Sequence, residues 1–569
     1  MPKSVRSTFA THSVANQSPR FENIDLYATD LALSEAVARE GGIDAAPNLQ
    51  AFGIACGSRR MLDLGRQANE CPPRLKPFDA KGHRLDIVEY HPAYHDLMAF
   101  SCGEGLHART YEHLKAAPPD GEITNTVAPT PEAGANVIRC AGLYLAAQME
   151  PGHCCPITMT HAAIPTLLVQ PEIASIWLPR ILPRRYDPAF KPASEKSAVT
   201  IGMGLTEKQG GTDVRANTTL AEPAASSGPG QEYLITGHKW FLSAPMSDAF
   251  LVLAQAKGGL SCFLMPRFKP DGSVNAINLQ RLKDKLGNRA NASSEAEFQN
   301  ASAWLIGEEG RGVPAIIEMV TRTRLDCAVS SAALMRLSLA NAIHHCRHRQ
   351  VMGRALVEQP VMTDVLADMA LDVEAATGLA FRLARAFDRA SDPRASAWAR
   401  LMTPVIKYWV CKIAPGLTYE AMECLGGNGY VEDSLAARTY REVPVNAIWE
   451  GSGNVMALDI LRVLQREPEV AGVVLDDLAP ATEGDPHLKA GLARVESILH
   501  EPRLLDRRAR LLAEALAVVS AGVILRAHAP SFVADAFIAT RVAGRPGHTY
   551  GVGIDWANAR AIVDRAFPE

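Results

Sequence analysis

The period at which apolar residues recur changes twice along this chain, and that double change limits the fold more than any single motif. From about Leu31 to Tyr186 apolar residues recur at spacings of three and four, as at Leu143, Leu145, Ala146 and Met149, the period of a helix. Near Ser197 the pattern switches to short β-rich runs, Tyr233–Thr236, Phe250–Ala254 and Cys262–Met265, separated by Gly, Pro or Asp. After the turn Gly307–Gly312 it is helical again over Val313–Met352, Met362–Arg389 and Ala395–Leu425, lengths suited to an antiparallel bundle. A further helix over Val455–Leu464 precedes Ala479–Pro486, a Pro/Gly/Asp-containing stretch that reads as a linker to a last unit. The expected fold class is mainly α with a central β domain, divided as 1–196 (helical), 197–306 (β, barrel-like), 307–469 (helical bundle) and 470–569 (helical C-terminal unit).

At 569 residues the chain is too long for one core. Hydrophobic residues at 47% and charged residues at 21% match ordinary water-soluble proteins, and the apolar runs break before the roughly 20 residues a membrane span needs. Met1–Ser7 is basic and polar without the apolar stretch of a secretory leader, so the expected location is cytoplasmic. Eleven cysteines without a C-x-x-C pair fit neither a disulfide framework nor a zinc ribbon, and a net charge of −4 excludes a global pull toward nucleic acid.

Three segments carry chemistry. Gly202–Asp213 (GMGLTEKQGGTD) runs from a strand end into a glycine turn whose backbone N–H groups can approach a planar or phosphorylated ligand; taken alone it is equally a plain β-turn, and it fits neither a dinucleotide fingerprint nor a P-loop. Thr236–Ser243 (TGHKWFLS) sets aromatic rings beside a hydroxyl, suited to packing on a conjugated ring and bonding its edge, or simply a half-buried strand. Gly426-Gly-Asn-Gly429 and Val445–Asn454 (VNAIWEGSGN) place Glu450 between Trp449 and a glycine bend, where lost hydration lifts a carboxylate toward general-base duty. A glutamate favouring the positive end of the following helix is the plainer alternative.

In order and spacing these three segments resemble the signature of the acyl-CoA dehydrogenase superfamily, whose fold is a helical bundle, a β domain and a second helical bundle. The resemblance implies FAD as cofactor, an acyl-CoA type of substrate and a homotetramer. Met203, Leu205, Thr206, Gly211 and Thr212 are similar to the family's loop over the flavin ring. Phe241, Leu242 and Ser243 fall where an aromatic stacks on the ring and a hydroxyl bonds its N5 edge. Gly426 and Gly427 resemble the adenine-side diglycine, and Arg349, in Arg-x-x-x-Gly, resembles the arginine on the flavin pyrophosphate. Trp449, Ser452 and Asn454, which flank the position of the catalytic carboxylate Glu450, are expected to bind the cofactor, and Arg324 resembles the arginine beside that base. The implied chemistry is removal of the substrate's α-proton by Glu450 as the flavin takes the β-hydride.

Within the superfamily the chain resembles the AidB branch, through Pro156-Ile-Thr-Met-Thr160, Gly204-Leu-Thr-Glu-Lys-Gln-Gly-Gly211, Arg281-Leu-Lys-Asp-Lys-Leu-Gly-Asn288 and Ile448-Trp-Glu-Gly-Ser-Gly-Asn454, the match fading after about Val470. Lys208-Gln209 replaces the general family's Pro-Gly, Glu423 its glutamine and Trp449 its tyrosine; AidB shares the first and last. The branch implies a flavoprotein of the DNA alkylation response that binds double-stranded DNA, with weak dehydrogenation of short branched, isovaleryl-type acyl-CoA. The alternative is a genuine dehydrogenase of fatty-acid or branched-chain amino-acid catabolism with no DNA role. For DNA, the expected phosphate contacts are Arg462 and Arg466, and Arg503, Arg507 and Arg510 at i, i+4 and i+7, although most such stripes are a solvated helix face. His344, His345 and His348 have partial zinc spacing, but adjacent Arg347 and Arg349 disfavour a cation, and no metal is expected. His161 is read in a loop, and the basic cluster of Arg281, Lys283, Lys285 and Arg289 either receives a nucleotide phosphate or, the plainer reading, is an exposed hairpin.

Overall fold

Over most of the stretches whose apolar period is that of a helix the chain forms helices, and prolines or side-chain caps begin several of them. In the computed structural model, residues 11–116, 132–544, 549–553 and 558–568 are described. The first unit holds α1 (Leu31–Val37), α2 (Ala46–Cys56), α3 (Arg59–Glu70), α4 (Pro92–Gly103), α5 (Ala135–Met149), α6 (Cys154–Leu168) and α7 (Pro171–Ile181). Asp30 and Ser58 cap α1 and α3 with their side chains, and prolines open α4 and α7, where a missing N–H costs nothing. Every residue of α5 is buried, as expected of a helix that is apolar all round. Its one arginine, Arg139, forms two 2.7 Å bonds to Asp326 of the later bundle.

Two local readings of the sequence fail here. Arg74–Phe78 (β1) and Arg84–Glu89 (β2) form an antiparallel hairpin inside the region read as helical, because their alternation is too short to outweigh the helical period around it. His161 lies within α6 rather than in a loop, buried with Thr110 Oγ1 2.8 Å from its Nε2.

The β domain comprises β3 (Ile201–Gly204), β4 (Leu220–Pro223), β5 (Glu232–Ser243), β6 (Ala249–Ala256), β7 (Gly259–Pro266), β8 (Ile277–Leu282) and β9 (Ser293–Ile306). Pairings run β4–β5–β9–β7–β6 and back to β4, closing a small barrel with β3 bridging β5 and β6 and β8 laid on β9. Closure removes the edges that would otherwise template pairing with other chains. Tyr233 and Ile235 of β5 and, beyond the register shifts that follow them, Leu242 fill the interior with Phe250, Phe263 and Phe298.

The chain then enters α8 (Gly312–His348), α9 (Pro360–Asp388) and α10 (Pro393–Cys424), followed by α11 (Gly427–Tyr430), α12 (Leu435–Glu442) and α13 (Gly453–Arg466). The last part is α14 (Glu469–Thr482), α15 (Pro486–Leu499), α16 (Leu505–His528), α17 (Ser531–Phe537) and α18 (Ala559–Ala566). Ala479–Thr482 is thus helix rather than linker; Pro480 is accommodated within α14, and the break falls at 483–485. Apolar residues of α14 to α18 share one core with α9 and α10. Among the described residues α16 alone is long and apolar enough to cross a membrane, and its apolar side is packed into that core.

Charge ties the terminal unit to the bundle. Arg541 bonds Asp368 and lies 3.1 Å from Asp372, while Tyr550 Oη donates to Asp372 (3.0 Å) and Gly551 N to Asp368 (2.7 Å). Both carboxylates are buried, and the Arg541 side chain is 8% exposed. Removing the arginine strands two carboxylates, so Arg541→Ala is expected to cost about 3–5 kcal/mol in chemical denaturation; an unchanged midpoint would mean that the pair does not hold the unit in place.

Candidate active site

The bend that carries Glu450 is held in an unfavourable backbone shape by two buried cations. Glu450 has φ of +58° and Gly451 +109°; the second suits glycine, whereas the first strains a residue with a Cβ. Lys407 of α10 donates from Nζ to the carbonyls of Trp449 (2.9 Å) and Gly451 (2.5 Å). Arg324 of α8 donates from Nε to the carbonyl of Glu450 (3.0 Å) and from Nη1 to Asp459 of α13 (2.6 Å). Three consecutive carbonyls are thereby fixed. Arg324 touches the backbone of the expected base, not its carboxylate, and so acts by positioning.

The clamped bend turns the Glu450 side chain onto the wall of a small cavity shared with Met159, Met203, Cys155, Cys327 and Trp449. Withdrawal from water pushes its carboxyl above the ordinary value; a 2.7 Å bond from Thr323 Oγ1 and the charges of Arg324 and Lys407 oppose that rise. A carboxylate so placed is suited to taking a proton from a bound substrate. Trp449 spends its indole N–H on Asn446 (3.0 Å) and leaves its ring to the cavity.

The barrel reaches this cavity through Met203. Met203 of β3 stands opposite Ser243 of β5, and directly paired residues share a sheet face. Phe241, two residues earlier on the same side, is 46% exposed, an unusual state for a large ring on a strand. Leu242 points the other way into the barrel, so its side chain takes no part in the site; the register shift between Lys239 and Leu242 decides which face it takes. The loop after β3 is tied down through Leu205 O (from Asn217 Nδ2, 2.9 Å) and Thr206 O (from Trp240 N, 2.8 Å). It packs so closely that a Cβ on Gly211 would approach Thr206 Oγ1 to 2.4 Å. A half-exposed aromatic ring with the Lys283 ammonium 4.8 Å from its centroid, a strand-end hydroxyl and a close-packed glycine loop form a set that fits a flat, hydrogen-bonding ring system such as a flavin.

Not every expected residue converges here. Arg349 lies beyond the end of α8, about 36 Å of helix from Arg324. There it bonds Asn16 O (2.6 Å), while Asn428, beside Gly426 and Gly427, bonds Gln17 (3.2 Å). These glycines have open space where a side chain would be, but at the far end of the bundle from Glu450. Ser452 and Asn454 begin α13 exposed, and Ser452 makes no side-chain cap bond. The three histidines do not converge: His344 bonds Pro19 O, His345 pairs with Ser18, and His348 donates to its own helix at His344 O.

Thr212 opens instead onto a second cleft of about 1,780 Å³ between the glycine loop, the start of α8 and α13. Arg215, Arg322, Arg400, Arg462 and Arg466 line it, against Asp213, Glu318 and Asp459. Thr323 on the first cavity and Arg322 on the second are successive residues, so one turn of α8 separates the two. Sequence reading missed Lys407, Thr323, Arg215, Arg322 and Arg400. Only Lys407 carried a signal, a lone lysine inside the apolar run Val405–Val410. Arg503 lies in a short turn before α16, not on it; Arg507 is exposed, and Arg510 leans on Tyr408, its Nε 3.1 Å from the hydroxyl. Arg281 and Lys283 share Glu295, whereas Lys285 turns inward, so these cations are not one exposed hairpin.

Comparison with known proteins accords with this geometry. Family models match residues 16–188 (adaptive response protein AidB N-terminal domain), 202–301 (acyl-CoA dehydrogenase, middle domain) and 310–465 (acyl-CoA dehydrogenase, C-terminal domain). AidB of Escherichia coli (strain K12) is 47% identical over 493 residues, 86% of this chain and 87% of the relative. Acyl-CoA dehydrogenase family member 11 of Caenorhabditis elegans is 31% identical over 85% of this chain and 80% of its own length. The crystal structure of ACDH-11 from that organism, in complex with C11-CoA, superposes with a TM-score of 0.81 at 26% identity, over 99% of this chain and 93% of that one. An acyl-CoA dehydrogenase of Bacillus anthracis complexed with FAD shares the fold, with a TM-score of 0.62 at 15% identity over 96% of this chain and 89% of that one. The clamped glutamate, the barrel strand that reaches its cavity through Met203 and these matches along nearly the whole chain lead to one conclusion: the protein belongs to the FAD-binding acyl-CoA dehydrogenase family, in its AidB branch.

Proposed function

We propose that this protein is an FAD-dependent acyl-CoA dehydrogenase in which Glu450 removes the α-proton of a thioester. The observation that carries the reading is the clamped Glu450 carboxylate, raised in pKa by burial and set on a cavity that the barrel reaches through Met203, the strand partner of Ser243. FAD, when bound, supplies the acceptor for the β-hydride. Phe241 would stack on its ring, Ser243 would bond the ring edge, and Met203, Leu205, Thr206 and Gly211 would close over it. Arg324 and Lys407 keep the base aimed without titrating it away, because they hold backbone carbonyls. The adjoining arginine cleft suits the phosphates of a coenzyme A moiety, with the acyl chain reaching past Thr323. The bulk of Trp449 favours short branched acyl groups. Arg349, Gly426 and Gly427 lie too far from Glu450 to serve the same flavin within one chain, which favours a homo-oligomer, a tetramer by family analogy, in which they serve a neighbouring copy's cofactor.

A second reading is favoured by one observation. Arg466 and Arg507 are exposed on α13 and α16, two packed helices, and Arg503 is exposed in the turn before α16. As in the AidB branch, we propose that this edge binds double-stranded DNA through phosphates, which links the flavoprotein to the alkylation response.

Three outcomes are expected. Glu450→Gln retains bound flavin but slows its anaerobic reduction by short branched acyl-CoA about 10²–10⁴-fold, measured by stopped flow; undiminished reduction would remove Glu450 as the base. Because the base works deprotonated, kcat/KM rises with pH through the elevated carboxyl pKa, and Thr323→Val, which deletes a bond to the charged form, moves that inflection to higher pH. In salt titrations of duplex binding, R503A/R507A lowers the slope by roughly 0.9 per lost phosphate contact; absence of binding by the unaltered protein at low salt would dismiss the DNA role.

A further inference from the structure

Along the outer face of the barrel runs a polar chain that the proposed chemistry has not used. Ser243 of β5 and Ser293 of β9 are paired across the strands, and their Oγ atoms lie 3.3 Å apart. On its other side Ser293 Oγ is 3.1 Å from Nζ of Lys285, which also reaches Asn291 O (2.6 Å) and Asn288 Oδ1 (3.4 Å). An ammonium group only donates, so Ser293 Oγ must accept from Lys285 and its own hydrogen is free to go to Ser243. Ser243, with a lone pair so occupied, is left to donate outward from the barrel wall. We infer that Lys285 and Ser293 are positioning residues that set the direction in which the Ser243 hydroxyl donates to the bound flavin. This rests on the flavin lying against Ser243, as proposed above.

Other charges around the lysine suit such a part. Glu442 of α12, Glu150 before α6 and Cys155 of α6 face it; Arg438 opposes Glu150 and Glu442, and Arg289 is turned to the Lys285 carbonyl (3.3 Å). Burial nonetheless brings the Lys285 pKa down to about 8, against the pull of those groups. A neutral amine can accept from Ser293 and reverse the chain, so the directing effect is present below that pH and fades above it.

The test uses the FAD-loaded protein and reads the absorption spectrum and midpoint potential of its flavin against pH. Ser293→Thr and Ser293→Val differ in a hydroxyl but hardly in volume, so their comparison survives any packing defect. Threonine should preserve the unaltered protein's values, whereas valine and Lys285→Met should each shift the potential negative by the same amount. The double variant should go no further, and the inflection near pH 8 should vanish in both singles. Valine behaving like threonine, or single effects that add, would overturn the relay. Ser243→Ala separates the two levels: a changed flavin spectrum with Ser293→Val silent sinks the relay alone, and an unchanged one sinks the flavin placement with it.

Discussion

The site depends on two cations that bond backbone rather than carboxylate. A left-handed glutamate costs roughly 1–3 kcal/mol, and hydrogen bonds from charged donors contribute about 1.5–3 kcal/mol each, so Lys407 and Arg324 are sufficient to keep Glu450 in that shape. Both are almost wholly buried, with few alternative partners, and Asp459 neutralises one of them. Had they paired with the Glu450 carboxylate instead, they would have held it ionised and lowered its basicity. By taking carbonyls they leave burial as the leading influence on its pKa.

The same use of buried charge joins the units. Arg139 to Asp326 connects the first helical unit to the bundle, Lys239 to Glu207 roots the glycine loop in the barrel, and Arg541 with Asp368 and Asp372 docks the terminal helices. Apolar contact alone tolerates sliding, whereas a buried pair accepts one register, because any other strands a charge. The cavity is bounded by α6, α8, the bend before α13 and the barrel, so its shape depends on those registers. The arginine cleft depends on the same turn of α8, which separates it from the Glu450 cavity.

The order of units was legible because hydrophobic period is a local property: α8, α9 and α10 lie within a few residues of the runs that announced them, and the barrel spans the β-rich block. The hairpin β1–β2, the helical setting of His161 and the helix over Ala479–Thr482 were not, since each is a short segment decided by neighbours distant in sequence. Glycine motifs marked the loop, the diglycine and the base, but they do not encode distance. The rigid length of α8 separates Arg349 from Glu450, and strand alternation turns Leu242 away from Ser243.

By itself, then, the sequence determined which residue types were available and where the chain would be helix or strand, because both follow from composition over a few turns. It also carried the Trp449-Glu450-Gly451 bend, since a residue next to glycine in a turn is a local matter. Only the tertiary structure decided that Thr323, Arg324 and Lys407 meet that bend and that five arginines share one cleft. The same holds for Lys285 standing beside Ser293, and Ser293 beside Ser243. Those groups come from separate helices and strands, and their meeting is set by packing, whose free energy depends on the whole core rather than on any window of sequence.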